Sequence, residues 1–314
     1  MHVLKIGWFL AAAAIALGQE APRGPGVDAR AGRPGPWDAD VLVYRALRDG
    51  SVQQLATFPR AGVPTIARLA DGRLIAAHQY FPEDFGANFD KVAVRFSKDE
   101  GSNWTEPQVI ELTGFPDELR FPFDPTLVPL PDGRARLYYT SVRGRRIDQS
   151  PPGIYSAISR DGVHFEFEPG ARLAVEGRIV IDCAAVLHRG TFHLFSPDNG
   201  TGGPNREEPR RGVAYHAVST DGLNFVRQAD VQMDQPWNWL GNAESDGERI
   251  WFFGTAQGLG IVTSEDGLKW QSENAPEIRG GDPGAVTTRD GGLIVAITGP
   301  PRAGTASAQQ RRGP

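Results

Sequence analysis

Aspartates recur in this chain at one register. Val63, Asp124, Asn238 and Asp282 each stand eight residues before the Asp of an Asp-Gly turn, and Asp182 stands seven before Arg189-Gly190. Three of the five positions are aspartates. Proline follows at Pro64, Pro125 and Pro283, and a residue that cannot donate to a β-ladder belongs at the first positions of a strand. A single aspartate there is equally well explained as a cap on its own strand through backbone amides. Three in one register favour chemistry, because carboxylates converging on a narrow channel repel one another. That repulsion raises the pKa of at least one and creates the acid and base forms that glycoside hydrolysis needs.

The same end of the strands collects other polar and aromatic residues. His78, Gln79 and Tyr80 end one apolar run, with Glu83, Asp84 and Asp90 in the loop beyond. Arg120, Ser141, Arg143, Arg145 and Arg146 belong to the second unit, Asp198, Asn199, Asn205 and Arg206 to the third, and Tyr215 and His216 follow. Trp237, Trp239 and Gln257 come from the fourth. Aromatic faces and planar hydrogen-bonding groups suit a sugar ring, although such a loop face is polar in any case. His78, Tyr80, Arg120, Arg143, Asp198, Asn199, Tyr215, His216, Trp239 and Gln257 are the candidate substrate-binding residues. The arginines from Arg143 to Arg146 read either as a solvated loop or as a holder of an anion. The scattered histidines form no metal-ligand set, so no cofactor is expected, and one central cation such as calcium on channel oxygens stays open. Cys183, the single cysteine, makes no internal disulfide and reads as a small buried filler.

The elements that must position these residues are strands. Gly and Pro supply 38 and 25 of 314 residues, a density of turn punctuation that excludes helix bundles. A 40% hydrophobic share provides a core, and a formal charge of -5 without a Lys/Arg block argues against nucleic-acid binding. Four segments align as Ser97 to Trp104, Ser159 to Phe165, Ser219 to Phe225 and Ser264 to Trp270, each containing Ser-x-Asp and ending in an aromatic. Their serines lie 62, 60 and 45 residues apart (159-97, 219-159, 264-219), the size of a four-stranded propeller blade with variable loops. In these turns Asp and Gly shape the bend and the aromatic anchors it on the core.

Five inner strands precede the Asp-Gly turns, and apolar second strands follow over 73–80, 135–142, 191–196, 249–255 and 293–298. The chain ends before the fifth blade has outer strands, whereas 41–44 and 51–57 form an unassigned hairpin at the front. The reading is therefore all-β, a five-bladed β-propeller over about 37–300, whose ring is closed by the N-terminal hairpin completing the last blade. Strand alternation puts both kinds of Asp turn on one face and the aspartate register on the other.

Residues 1–18 read as a signal peptide, with Lys5 before the apolar run Ile6 to Leu17 and small residues near Gly18. Twelve apolar residues fall short of a membrane span. A periplasmic or secreted protein without a stable membrane anchor is expected. Residues 19–36 read as a flexible lead-in and 301–314 as a disordered tail. A carbohydrate is the expected partner.

The Ser-x-Asp turns are similar to the Asp-box (BNR) repeats of sialidases, and Gly62 to Ala77 resembles a sialidase first blade, with Gly62 where those enzymes carry a carboxylate-binding arginine. The five blades and Asp-Pro inner strands look more like the five-bladed glycosidases of the arabinanase, xylosidase and invertase type. That resemblance implies three channel carboxylates. Asp124 matches the one that tunes and orients, and Asp182, followed by Cys183, matches the general acid. Val63 stands where the first carboxylate would be, so either Asp282, Asp84 or Asp90 supplies the base, with Asp282 the candidate, or catalysis of this kind is absent. The implied function is hydrolysis of a glycoside. A noncatalytic carbohydrate-binding propeller and a sialidase-like exo-glycosidase are the alternatives.

Overall fold

The structure, a computed structural model, describes residues 35–84, 86–144, 151–202, 206–233 and 238–302. The expected signal peptide, the lead-in up to residue 34 and the tail from 303 lie outside these residues, as do Arg145, Arg146, Asn205 and Trp237.

Five sheets, antiparallel but for one outer pair, form the five blades of a propeller. Blade one runs outward from Ala61–Arg68 through Leu74–Tyr80 and Lys91–Ser97 to Gln108–Val109. Blade two comprises Phe123–Pro129, Ala135–Ser141, Gly153–Ser159 and His164–Leu173, and its long outer strand also takes Glu111–Thr113 in parallel. Blade three has Ala184–His188, Thr191–Pro197 and Val213–Ser219, edged by Val226–Arg227 and Val231–Gln232. Blade four has Gly241–Ser245, Ile250–Thr255, Leu259–Ser264 and Gln271–Glu273. In blade five the inner pair Gly281–Thr287 and Leu293–Thr298 comes from the end of the chain, and the outer pair Val41–Ala46 and Val52–Phe58 from its start.

The front hairpin thus completes the back, with Val41 opposite Thr298 and Ala46 opposite Leu293 in unbroken register. Closure gives Leu293–Thr298 a partner on both of its edges. Arg302 tightens the seam, reaching the carbonyls of Trp37 and Ala39 at 2.9 and 2.8 Å and the Asp40 carboxylate at 2.9 Å. Pro301 and Arg302, expected in the tail, and Pro36, expected in the lead-in, are therefore parts of the folded body.

The core lies between blades. Second strands such as Ala135–Ser141 are buried at every residue because neighbouring blades cover both of their faces, which is why these segments read as continuous apolar runs rather than alternating ones. At one end of the ring each Ser-x-Asp turn is a closed hydrogen-bond unit. The Ser159 hydroxyl donates to Asp161 Oδ1 at 3.0 Å and accepts the Gly162 N–H at 2.9 Å, while Asp161 Oδ1 accepts the N–H groups of Val163 and His164 at 2.8 Å. The turns at Ser97, Ser219 and Ser264 repeat the pattern. Trp104 and Trp270 donate their indole N–H to Gly101 and Gly267 of their own turns at 2.8 and 3.2 Å.

Candidate functional site

At the opposite end of the ring the innermost strands of blades one, two and five each carry a bulge. Pairing slips by one residue between Gly62 and Thr65, between Phe123 and Thr126, and between Gly281 and Gly284. The residues at the slip, Val63, Asp124 and Asp282, have φ of 48, 50 and 49°, and Asp182 at the start of blade three has 64°. Asp tolerates this left-handed region through local hydrogen bonding, whereas a β-branched Val there is a genuine outlier. Such bulges re-aim side chains, and here they turn Asp124 and Asp282 toward the cavity that Asp182 also lines.

Threonines of the preceding blade brace three of these positions. Asp182 N–H donates to Thr140 Oγ1 at 3.0 Å, Asp282 N–H to Thr255 Oγ1 at 2.9 Å, and Val63 N–H to Thr298 Oγ1 at 2.9 Å. Sequence reasoning missed this set, though the signal exists: each Thr stands eight or nine residues after the Asp of its blade's Asp-Gly turn. Beneath the aspartates the channel is closed by cross-blade bonds. Thr126 Oγ1 donates to the Cys183 carbonyl at 2.5 Å. Asn242 donates to the carbonyls of Ile66 and Ala285 at 3.2 and 3.3 Å and accepts the Ala285 N–H at 2.8 Å. Asn242, also unforeseen, ties blades one, four and five.

Asp124, Asp182 and Asp282 line one cavity with Val63, Gly241 and Cys183. Gly241, with φ of 151°, is blade four's contribution. Asn238, expected at that place, lies three residues before the strand and pairs its backbone N–H with the Thr255 carbonyl at 3.1 Å. Blade four has a four-residue turn, Asp246 to Arg249, between Ser245 and Ile250, where blades one, two and five have five residues, so counting back from its Asp gives a different place. The cavity encloses about 10 Å³, roughly the room of one water molecule. A ligand larger than water would therefore sit across the mouth, over the carboxyls, rather than between them.

Each aspartate keeps some accessible surface at this mouth while protein surrounds it on the other sides. Burial raises all three pKa values. Asp124 is pushed to about 8 by burial, then by the charges of Asp282 and Asp90, against a hydrogen bond from Thr140 that lowers it. Asp182 is raised well above the carboxylate range by burial and by Asp124 and Asp282. Asp282 rises to about 6 through burial. A value of about 8 for Asp124 and about 6 for Asp282 leaves the first mostly in its acid form and the second mostly ionised at neutral pH, while Asp182 is shifted toward its acid form. The Cys183 thiol is raised by burial and by Asp182, so it is no thiolate nucleophile.

The expected rim residues divide. His78 and His216 are in the core, His78 with Nδ1 2.9 Å from the Gln79 carbonyl and His216 stacked on Phe195 at 4.7 Å. Trp239 is 1% exposed, stacks on Phe195 at 5.2 Å and donates to the Gly212 carbonyl. Tyr215 is buried, with Arg227 and Arg210 over its ring. These four were expected on the rim; their side chains instead lie in the walls between blades. Asp198 is also buried, bonded to Arg210 and accepting the Gly200 N–H at 2.8 Å, and it organises its own loop. Asn199 donates to the Ile181 carbonyl at 3.0 Å, one residue before Asp182. Arg143 is exposed and pairs with Glu118 at 3.2 Å, and Gln257 is exposed. Tyr80 and Arg120 are half-buried, with Arg120 over the rings of Phe121 and Phe123. Asp90 stands close enough to Asp124 to act on its charge, and it accepts a 2.6 Å bond from Gln79 Nε2.

These features define a five-bladed β-propeller with a carboxyl-lined mouth. No family model and no curated protein matches the chain. Among solved structures it is similar to an N-acetylgalactosamine deacetylase from F. plautii in complex with blood group B trisaccharide (TM-score 0.53, 14% identity, 80% of this chain and 82% of that one). It is also similar to an α-L-arabinanase from Penicillium chrysogenum complexed with arabinobiose (TM-score 0.52, 14% identity, 84% and 87%). A family 117 glycoside hydrolase from Zobellia galactanivorans is comparable (TM-score 0.51, 11% identity, 84% and 91%). At such identities the likeness is one of fold, the five-bladed propeller that glycoside hydrolases of the arabinanase type share.

Proposed function

We propose that the protein is a glycoside hydrolase-like enzyme that acts on a carbohydrate laid across the propeller mouth. The observation that carries this reading is the trio of aspartates, contributed by three blades on left-handed backbone, lining one cavity and with their pKa values raised. Asp182, whose acid form burial and its neighbours' charges favour, donates its proton to the departing glycosidic oxygen. Asp282, mostly ionised at neutral pH, either takes a proton from the water that attacks the anomeric carbon or attacks that carbon itself, forming a glycosyl ester that water then cleaves. Asp124, between them in charge coupling, holds the balance: its proton stays while Asp282 is ionised. The resemblance to propeller glycosidases supports the same roles for Asp124 and Asp182.

A panel of aryl glycosides, extended to N-acetylated sugars because one similar structure is a deacetylase, tests the reading. Expected is turnover with a bell-shaped pH profile whose acidic limb lies near pH 6, set by Asp282. The small enclosed space favours a second reading, a noncatalytic carbohydrate-binding propeller. Oligosaccharide binding by calorimetry, without turnover and retained in Asp124→Asn, Asp182→Asn and Asp282→Asn, would establish that one instead. The proposal includes export, supported by the pattern from Lys5 to Gly18; the N-terminal sequence of the mature protein checks it.

A further inference from the structure

Between blades one and two, the mouth carries a cluster that the acid-base chemistry does not use. Lys91 opens the third strand of blade one opposite Tyr80, and its ammonium stands 3.9 Å from the centroid of the Phe121 ring. Arg120 places its guanidinium 5.0 Å from the same centroid. Both side chains are half-buried. Among the described residues Lys91 has no carboxylate within ion-pair distance, and Asp90, its chain neighbour, gives a carboxylate oxygen to Gln79.

A half-buried ammonium without a contacting anion is costly, and a cation-π contact offsets only part of that cost. A second cation on the same ring adds repulsion. Burial lowers the pKa of Lys91, Asp90 raises it and Arg120 lowers it further, so the site is one where an arriving negative charge is favoured. Asp124 is near enough to feel Asp90, which joins the cluster to the catalytic mouth. A ligand group held here would lie beside the aspartates.

We propose that Lys91, with Arg120 and Phe121, forms a subsite for an anionic substituent of the saccharide, so that the ligands of this propeller are acidic sugars bearing a carboxylate or a sulfate. This rests on the carbohydrate reading above but not on catalysis. The test is calorimetric titration of the full chain with a galacturonic acid trisaccharide, a sulfated galactose trisaccharide and a neutral galactose trisaccharide. Expected is that at least one acidic ligand binds about tenfold or more tightly than the neutral one, and which of the two does so identifies the anion. Lys91→Met, which keeps the stem on Phe121, removes that preference and leaves neutral binding unchanged; Lys91→Arg retains it. Raising the salt weakens the acidic ligand selectively in the unaltered protein, which decides the matter if Lys91→Met does not fold. Equal affinity for the three ligands, no binding of either acidic one, or a preference that survives Lys91→Met overturns the subsite. Binding with preference but no turnover leaves the subsite standing and removes the hydrolase reading.

Discussion

The two ends of the ring use the same residue to opposite effect. At the turn end, Asp221 is held below the usual carboxylate range by the N–H groups of Asn224 and Leu223, and Asp99 by the side chain and backbone of Asn103. In Asp161 and Asp266 burial pushes upward, yet backbone donors prevail and the values fall. At the mouth the backbone points its donors elsewhere: the N–H groups of Asp182 and Asp282 go to threonine hydroxyls. Their carboxyls meet burial and one another, and their pKa values rise. What decides the titration of an aspartate here is where the nearby amides point, an end that hydrogen-bonds the charged form holding its carboxyls low and one that does not leaving them raised.

The largest expected effect belongs to the structural end. Trp270 packs edge-on against Phe195 and Trp239, both at 5.3 Å, so Trp270→Ala is expected to cost about 3–5 kcal/mol. Chemical denaturation measures it, and specific activity per folded molecule stays unchanged. Deleting 37–58 goes further, stripping blade five of its outer strands, and should yield no soluble, cooperatively melting protein. A soluble product with a normal melt would mean the ring holds without its closing hairpin.

At the reactive end the order reverses. Asp182→Asn or Asp282→Asn should lower kcat by about 100-fold or more, the usual weight of an acid-base group, while the melting temperature holds or rises. A comparable loss in Asp221→Asn, with folding intact, would erase the distinction between the ends.

Much of this was legible in the sequence. Four Ser-x-Asp turns set the blade size, and the orphan hairpin at the front required closure with the orphan strands at the back. The aspartate register was legible too, since the Asp-Gly turn fixes distance along a strand. Blade four misled because its turn is shorter, and counting from Asp246 reached Asn238 rather than Gly241. His78, His216 and Trp239 misled for another reason: in a propeller both faces of a strand are buried, so a polar or aromatic residue near a strand end carries no mark of whether it faces the mouth or the neighbouring blade. The bulges and threonine braces depend on pairing between strands distant in sequence, which no local pattern announces.

The pH dependence of stability sharpens the comparison further. Asp124 has its folded pKa raised, so its contribution is fully present below the unfolded value of 3.8 and is lost as pH rises through about 8. His193 and His216 are lowered from 6.5 to about 4, by burial first and then by His188 and His193 respectively. Their contribution is present above 6.5 and lost as pH falls through 4. Asp124→Asn should therefore raise the melting temperature more at pH 8.5 than at pH 5, whereas His216→Gln should flatten the acid limb. Thermal melts from pH 4 to 9 read both, and equal shifts across the range for Asp124→Asn would deny that the mouth carboxyls carry the alkaline sensitivity.

The smallest effect concerns Val63, the mouth position that has the backbone of an aspartate without its side chain. Its φ of 48° strains a β-branched residue by about 1–3 kcal/mol. Asn accepts that conformation and is uncharged, so Val63→Asn should stabilise by about 1 kcal/mol, or about 2 °C in melting temperature. Val63→Asp relieves the same strain but adds a fourth carboxyl beside Asp282 and Asp124, whose charges oppose it. Its gain should match that of Asn at pH 4 and shrink as pH rises to 8, with the acidic limb of any activity profile moving upward. If the two variants melt alike at every pH, position 63 lies outside the field of the aspartates, and the mouth is a set of separate strand starts rather than one electrostatic site.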